Sequence, residues 1–246
     1  MPSLPHHIVV LTGAGISADS GVRTFRDAGG LWEGHNVEDV ATPEGWERDP
    51  RLVWRFYQER RAQLRTVQPN AAHTALATFA DDCAEAGHGF TLVTQNVDDL
   101  HDRAGSDVLH MHGELVKLRC ERCENVIEDR VHVDPGRFLP CEQCAFPRLR
   151  PHIVWFHEMP FHLAEIGRAM QRCTHFLAIG TSGKVWPAAG MLADARGRGA
   201  TTWVQSLDEP DNLDPRDRFR PGRAASVVPT LLAEVAAALA VPPPGR

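Results

Sequence analysis

The block His7-Ile8-Val9-Val10-Leu11-Thr12 runs directly into Gly13-Ala14-Gly15-Ile16-Ser17-Ala18. An unbroken aliphatic and β-branched block of this length reads as a strand buried on both faces, and a glycine turn at its end opens an α/β unit. No other feature constrains the chain as much. Such a strand needs neighbours on both edges and helices over both faces. Shorter apolar blocks at 90–94, 108–111, 176–180 and 201–204 supply the neighbours. Helical patterns lie between them. Ala72, Leu76, Phe79 and Cys83 recur at spacings of three and four within 70–86, and similar patterns cover 164–173 and 188–198. A last helix over 228–240 stops at Pro242-Pro243-Pro244. The expected fold is α/β, with a mostly parallel sheet and helices on both faces.

Two stretches break the rhythm. Residues 34–68 hold acidic and aromatic residues with one helical pattern over 51–66. Residues 117–150 carry four of the six Cys and little apolar periodicity. Both read as inserts, so the expected core is 1–33, 69–116 and 151–246, with a helical insert at 34–68 and a zinc-binding module at 117–150. Cys120-x-x-Cys123 and Cys141-x-x-Cys144 form two tight knuckles that can place four thiolates tetrahedrally around one Zn2+. Four thiolates leave no open position for water, so the zinc is expected to be structural. Two disulfides or a redox pair are the alternatives. Cys83 and Cys173 stand alone in helical patterns and read as small buried apolar residues.

A net charge of −6 argues against a protein whose task is to grip nucleic acid. No segment approaches the run of about 20 apolar residues that a membrane helix needs. The first residues lack a cationic segment before their apolar stretch and make a poor signal peptide. A cytoplasmic monomer without nucleic-acid or membrane partners is the expectation.

The turn matches G-x-G-x-x-G/A, in which glycines let backbone N–H groups approach a pyrophosphate. A plain strand–helix turn with no ligand fits the bare motif equally well. A dehydrogenase would also show an acidic residue closing a second strand about 20 residues later. Here that place holds Thr24-Phe25-Arg26-Asp27-Ala28-Gly29-Gly30-Leu31-Trp32, which reads as a loop. The core is therefore expected to be Rossmann-like and to bind a dinucleotide without the hydride-transfer layout. Gln95, Asn96, Asp98 and Asp99 follow the 90–94 strand, where open sheets bind ligands. Helix capping accounts for one of them but not the group. His110 and His112, two apart at a strand end, are expected to face opposite sides. Tyr57 and Arg60 share a helix face and could recognise a carboxylate, or belong to a solvated arginine-rich face.

The stretch from Gly13 to Arg26 (GAGISADSGVRTFR) resembles the signature of the sirtuins, NAD-dependent protein-lysine deacylases. Further motifs follow in that family's order: Thr94-Gln95-Asn96-Val97-Asp98, His110-Met111-His112-Gly113-Glu114, the four Cys, Ile153-Val154-Trp155-Phe156, Gly180-Thr181-Ser182 and Ala224-Ala225-Ser226-Val227-Val228-Pro229. The resemblance spans nearly the whole chain and points to a bacterial-type member. It implies that NAD is the cosubstrate and is bound by Gly13, Ala14, Gly15, Asp19, Thr24, Phe25, Arg26, Trp32, Gln95, Asn96, Asp98, His112, Gly180, Thr181, Ser182, Ser206 and Ala224. It also implies catalytic roles for His112 as base and for Asn96 and Asp98 beside the nicotinamide. The implied reaction expels nicotinamide, captures the ribose carbon with the acyl oxygen, and yields free lysine and O-acyl-ADP-ribose. Val154, Trp155 and Phe156 resemble the edge that docks an acyl-lysine peptide. Ala41 with Tyr57 and Arg60 is similar to the subgroup that removes acidic acyl groups such as succinyl, without excluding acetyl. Two positions depart from the family: His157 stands where glycine is usual, and Ser206 where asparagine is frequent. Protein mono-ADP-ribosyl transfer and a catalytically silent NAD-binding interaction module are the rival readings; nicotinamide release separates the second from the rest.

Overall fold

The computed structural model describes residues 5–23, 31–32 and 34–239. In chain order, β1 (His7–Thr12) is followed by the two-residue strands β2 (Leu31–Trp32) and β3 (His35–Asn36), then α1 (Val37–Val40), α2 (Pro43–Arg48) and α3 (Pro50–Leu64). Next come α4 (Ala71–Glu85), β4 (Gly89–Thr94), the short α5 (Leu100–Arg103) and β5 (Val108–His110). The strands β6 (Gly113–Cys120), β7 (Val126–Glu128) and β8 (Leu149–Ile153) precede α6 (Leu163–Arg172) and β9 (His175–Ile179). The chain continues through α7 (Ala188–Gly197), β10 (Thr201–Ser206), β11 (Arg218–Pro221) and α8 (Ala224–Leu239).

Six strands form a sheet in the order β11-β10-β9-β1-β4-β5, and every pairing is parallel. Period-two alternation builds its two faces. Ile8 and Val10 join Leu92, Leu177 and Ile179 against α4 and α8. Val9 and Leu11 join Val93, Phe176 and Ala178 against α6 and α7. Helix α4 begins where the Asn70 side chain accepts the Ala72 N–H and His73 Nδ1 accepts the Asn70 N–H. That reciprocal cap satisfies donors a helix start would otherwise leave bare. Cys83 and Cys173 are buried, as their apolar surroundings suggested.

A third core lies outside this sheet. Val40, Trp46, Trp54, Phe56 and Tyr57 from the α1–α3 region pack with Leu115, Leu118 and Leu149 from the antiparallel sheet β7-β6-β8 and with Trp155 just after it. The two breaks in the sequence rhythm thus bury one shared apolar surface. The antiparallel strands reach from Gly113 to Ile153, past both ends of the 117–150 stretch.

Two elements differ from expectation. β11 lies in a charged stretch with no strand signal, and it sits at the sheet edge, where Arg218 and Pro221 are exposed. Pro is tolerated on an edge because no ladder bond is needed on the open side. Helix α8 starts at Ala224, ahead of the expected 228. The Asp19 carboxylate accepts the Ala225 N–H at 3.0 Å and so starts the helix early, with Pro229 inside it.

Burial holds several imidazoles neutral. It pushes His73, His152 and His175 to about 4 and His101 to about 3. An unfolded chain takes up those protons near pH 6.5, while the native state does not. Stability from these groups is therefore complete above pH 6.5 and is lost as pH falls towards 4. The thermal unfolding midpoint is expected to drop steeply over that window in a calorimetric pH series; a flat profile would contradict the buried neutral rings.

Candidate active site

β1 is the switch point of the sheet. The chain leaves it for β4 and β5 on one side and later for β9, β10 and β11 on the other. In open α/β sheets the ligand crevice lies beyond the strand carboxyl ends at such a point. Here the glycine turn after β1 presses on the residues after β9. Gly13 N–H donates to Ile179 O at 3.0 Å, and Gly15 N–H to Gly180 O at 2.9 Å. A Cβ on Gly15 would sit 2.7 Å from Gly180 Cα, and Gly180 itself has φ 64. Neither position accepts a side chain, so the turn and the Gly180-Thr181-Ser182 segment form a backbone-lined cradle that fits a pyrophosphate. The turn leads into two short 3-10 turns, Ala14–Ile16 and Ala18–Ser20, not into an α-helix. Gln95, Thr181 and Ser182 line one small cavity of about 20 Å³ together with Lys184 and Asn212.

The polar residues after β4 are locked by a buried network. His73 is neutral and accepts from Asn70 on Nδ1, so its proton is on Nε2, 3.5 Å from Ser17 Oγ. Asn96 Nδ2 donates to Ser17 Oγ at 3.1 Å and to Gly13 O at 3.2 Å. Ser17 Oγ accepts from both, and its own proton goes to the Asp98 carboxyl. Asp98 also accepts the Leu100 N–H at 3.2 Å. Its burial pushes its pKa up, against the pull of these bonds and of His110. A second chain runs from His101 Nε2 to Thr12 Oγ1 at 3.0 Å and on to Thr94 Oγ1 at 2.8 Å, which also accepts the Asn96 N–H. Ser17, His73, Thr94 and His101 were given no role in the sequence. Ser17 and Thr94 stand inside quoted motifs; His73 and His101 carried no such signal and join the network only through the fold.

His112 Nδ1 lies 3.0 Å from Gln95 O. A carbonyl only accepts, so Nδ1 carries the proton and Nε2 presents a lone pair. Burial lowers its pKa, partly offset by the Gln95 bond, so the ring is neutral near pH 7. His110 is the opposite case. Its Nε2 lies 3.0 Å from Asp102 Oδ2 and its Nδ1 3.4 Å from Asn96 O. Both partners accept, which favours the imidazolium. Burial lowers its pKa, but Asp102 and Glu114 more than compensate, and the net shift is upward. The expectation that the two rings face opposite sides fails. In extended backbone, residues two apart share a side, and both rings reach the consecutive carbonyls of Gln95 and Asn96.

Other expected cofactor residues have varied placements. Asp19 pairs with Arg223 at 2.9 Å besides capping α8 near Ala224. Ser206 is buried at the end of β10, with its hydroxyl donated to Asp208 O at 2.5 Å. Thr24, Phe25 and Arg26 lie outside the described residues. Trp32 packs against Phe56 and Tyr57, with ring centroids 4.9 and 6.0 Å away, and beneath Arg60 at 5.7 Å.

The residues expected at the acyl group come together. Tyr57 is fully buried, and its hydroxyl accepts Trp155 Nε1 at 3.0 Å, so its own proton remains to be donated. Arg60 lies over the Phe56 ring at 3.3 Å and donates to Phe56 O. Ala41 is buried in the same core, and its carbonyl accepts the Phe156 N–H at 2.9 Å. Val154 N–H donates to His112 O at 2.9 Å and Trp155 N–H to Glu158 Oε2 at 2.9 Å. These N–H groups are used internally, so a docking peptide must pair with carbonyls here or with backbone beyond Phe156. His157 has φ 72, the left-handed region that glycine tolerates best, and its Nδ1 lies 3.6 Å from Glu44 Oε2.

The four paired cysteines converge. Cys120 and Cys144 sulfurs are 3.6 Å apart, as are those of Cys123 and Cys141, and none is in a disulfide. Thiolates at about 2.3 Å from a tetrahedral zinc lie about 3.8 Å from one another. The donor set therefore fits Zn2+, which would sit between the end of β6 with its following turn and the turn that precedes β8.

A model of the Sir2 family matches residues 13–187. The NAD-dependent protein deacylase of Vibrio cholerae is 47% identical over 244 residues, covering 97% of each chain. A solved Sir2 homolog in complex with NAD superposes with a TM-score of 0.83 at 37% identity, covering 94% of this chain and 90% of that one. Sir2Af2 bound to a myristoylated histone peptide superposes with a TM-score of 0.71 at 30% identity, covering 95% of this chain and 92% of that one.

Metal analysis of the purified protein is expected to give one zinc per chain. A chelator should lower the thermal midpoint, because metal binding is coupled to folding; unchanged stability in metal-free protein would contradict the assignment. His157→Gly removes backbone strain and should raise stability by about 0.5–1 kcal/mol in denaturant unfolding. A loss of that size would show instead that the Glu44 contact dominates.

Proposed function

The chain belongs to the Sir2 family, and we propose that it is an NAD-dependent protein-lysine deacylase acting on succinyl-type acyl groups, acetyl groups or both. The observation that carries this reading is His112: a neutral imidazole, oriented by the Gln95 carbonyl, with Nε2 left to accept a proton. When bound, NAD supplies the ribose carbon from which nicotinamide leaves and the hydroxyl that takes over the acyl group. The cradle of Gly13, Ala14, Gly15, Gly180, Thr181 and Ser182 would hold its pyrophosphate, with Gln95 and Ser206 towards its riboses. Asn96 and Asp98 orient the nicotinamide end. Their side chains are fixed through Ser17, so little reorganisation accompanies the reaction. His112 takes the proton of a ribose hydroxyl at Nε2. The Zn2+ is structural and takes no part in the chemistry.

The acyl-lysine enters between the sheet core and the two inserts. Val154, Trp155 and Phe156 line its path, and the peptide is read mainly through its backbone. Tyr57 and Arg60 bind an acidic acyl end. The Tyr57 proton and the Arg60 fork are the groups a carboxylate needs, and the small Ala41 beside them leaves room. The reading extends to a cytoplasmic monomer whose partners are acyl-lysine proteins. Among the described residues, no helix is long and apolar enough to cross a membrane.

One lysine peptide in acetyl and succinyl forms, incubated with the zinc-loaded protein with and without NAD, tests the reading by mass spectrometry. NAD-dependent loss of the acyl group is expected, with free nicotinamide. His112→Asn should slow it by roughly 10²–10⁴-fold. Arg60→Met should weaken succinyl removal more than acetyl removal. Loss of acetyl alone would remove the acidic-acyl assignment. A mass gain of ADP-ribose on the protein partner, with the acyl group retained, would overturn the deacylase reading.

A further inference from the structure

Away from the dinucleotide cradle, the ends of α3 and α5 and the segment after β7 line an open cleft of about 220 Å³, room for roughly seven waters. Arg61, Arg65, Arg103 and Arg130 line it, with Asp99 and Asp129. With Glu128, which pairs with Arg130 at 2.5 Å, the count is four guanidinium groups against three carboxylates, a local excess of one positive charge in a chain whose net charge is −6.

Most acceptors that hold these arginines are uncharged carbonyls. Arg103 donates to Leu64 O at 3.2 Å and Val67 O at 2.8 Å. Arg65 donates through Nη2 alone, to Arg130 O at 3.0 Å and Val131 O at 2.6 Å. Such bonds fix a guanidinium in place without cancelling its charge. Asp99 is held by Arg130 and lies 3.7 Å from Arg103 Nη1, and Asp129 pairs with Arg61 Nη2 at 3.0 Å. The Arg61 side chain is only 3% exposed, and its Nη1, like Asp99 Oδ1 and Asp129 Oδ2, is sealed from solvent with no hydrogen-bond partner among the described residues, so Arg65, Arg103 and Arg130 are the groups left to meet a ligand. Pre-positioned guanidinium forks around an open cleft suit a tetrahedral oxyanion.

We propose that this cavity is a binding site for a small phosphate-bearing anion, separate from the NAD cleft. Leu64 and Val116 give it an apolar wall, so a short carbon chain on the phosphate also fits. The residues come from both inserts and the sheet core. Asp99 directly follows Asp98, so an occupant would tie the three parts together beside the active site.

Equilibrium dialysis of the zinc-loaded protein with radiolabelled inorganic phosphate tests this, with ADP-ribose saturating the dinucleotide cradle. One saturable site per chain is expected. Arg65→Gln and Arg130→Gln, both at the rim, should each weaken it by about tenfold, the loss of one charge-assisted hydrogen bond. Glycerol 3-phosphate displacing the label would identify a phosphate carried on a small molecule; failure to displace would restrict the site to the free ion. Thermal unfolding provides a second readout. Phosphate should raise the midpoint more than sodium chloride of equal ionic strength, and the difference should vanish in the variants. Binding undiminished in both variants, or no saturable binding to folded wild-type protein, would overturn the proposal.

Discussion

The close approach of the Gly13–Gly15 turn to Gly180 is the constraint on which the rest depends. It brings the loops after β1 and β9 into backbone contact at the switch point of a parallel sheet. With the turn fixed there, Ser17 sits where Asn96 and His73 can reach it, and Asp98 takes the remaining serine proton. With Asn96 fixed, the Gln95 carbonyl next to it has a set position, and that carbonyl sets the tautomer of His112. A side chain larger than hydrogen at Gly15 or Gly180 would pry this chain of contacts apart at its origin.

The core sheet was legible because its strands are buried on both faces and stand out as unbroken apolar runs. The zinc site was legible because knuckle spacing is a local property of the chain. The polar network was not. His73 caps its own helix and His101 sits in a four-residue helix, and nothing in their neighbourhoods says that both meet residues from β1 and its turn. β11 was missed because an edge strand need not be apolar. The opposed orientation expected of His110 and His112 was an error of geometry, since alternate residues in extended backbone share a side. The resulting pair is a division of labour: one imidazole, pushed towards its charged form by Asp102, holds the Asn96 carbonyl, while the other is pushed towards its neutral form and presents Nε2.

The two departures from the family pattern also acquire physical content. Ser206 keeps its hydroxyl within the chain, bonded to Asp208 O. His157 adopts the glycine-like backbone at some strain and meets Glu44 across the surface. Neither residue disturbs the contacts around His112. The helical and zinc inserts share one apolar core, and Tyr57 of α3 and Trp155 just after β8 form their hydrogen bond inside it. The Tyr57–Trp155 contact and the cysteine cluster therefore border one apolar core.

The central claim is that His112 is a neutral base whose proton is held on Nδ1 by Gln95. Nitrogen-15 NMR of the labelled imidazole, followed through a pH titration, measures this directly. The account predicts an Nδ1–H tautomer near neutral pH and a pKa below the usual 6.5. An Nε2–H tautomer, or a pKa above that value, would contradict it.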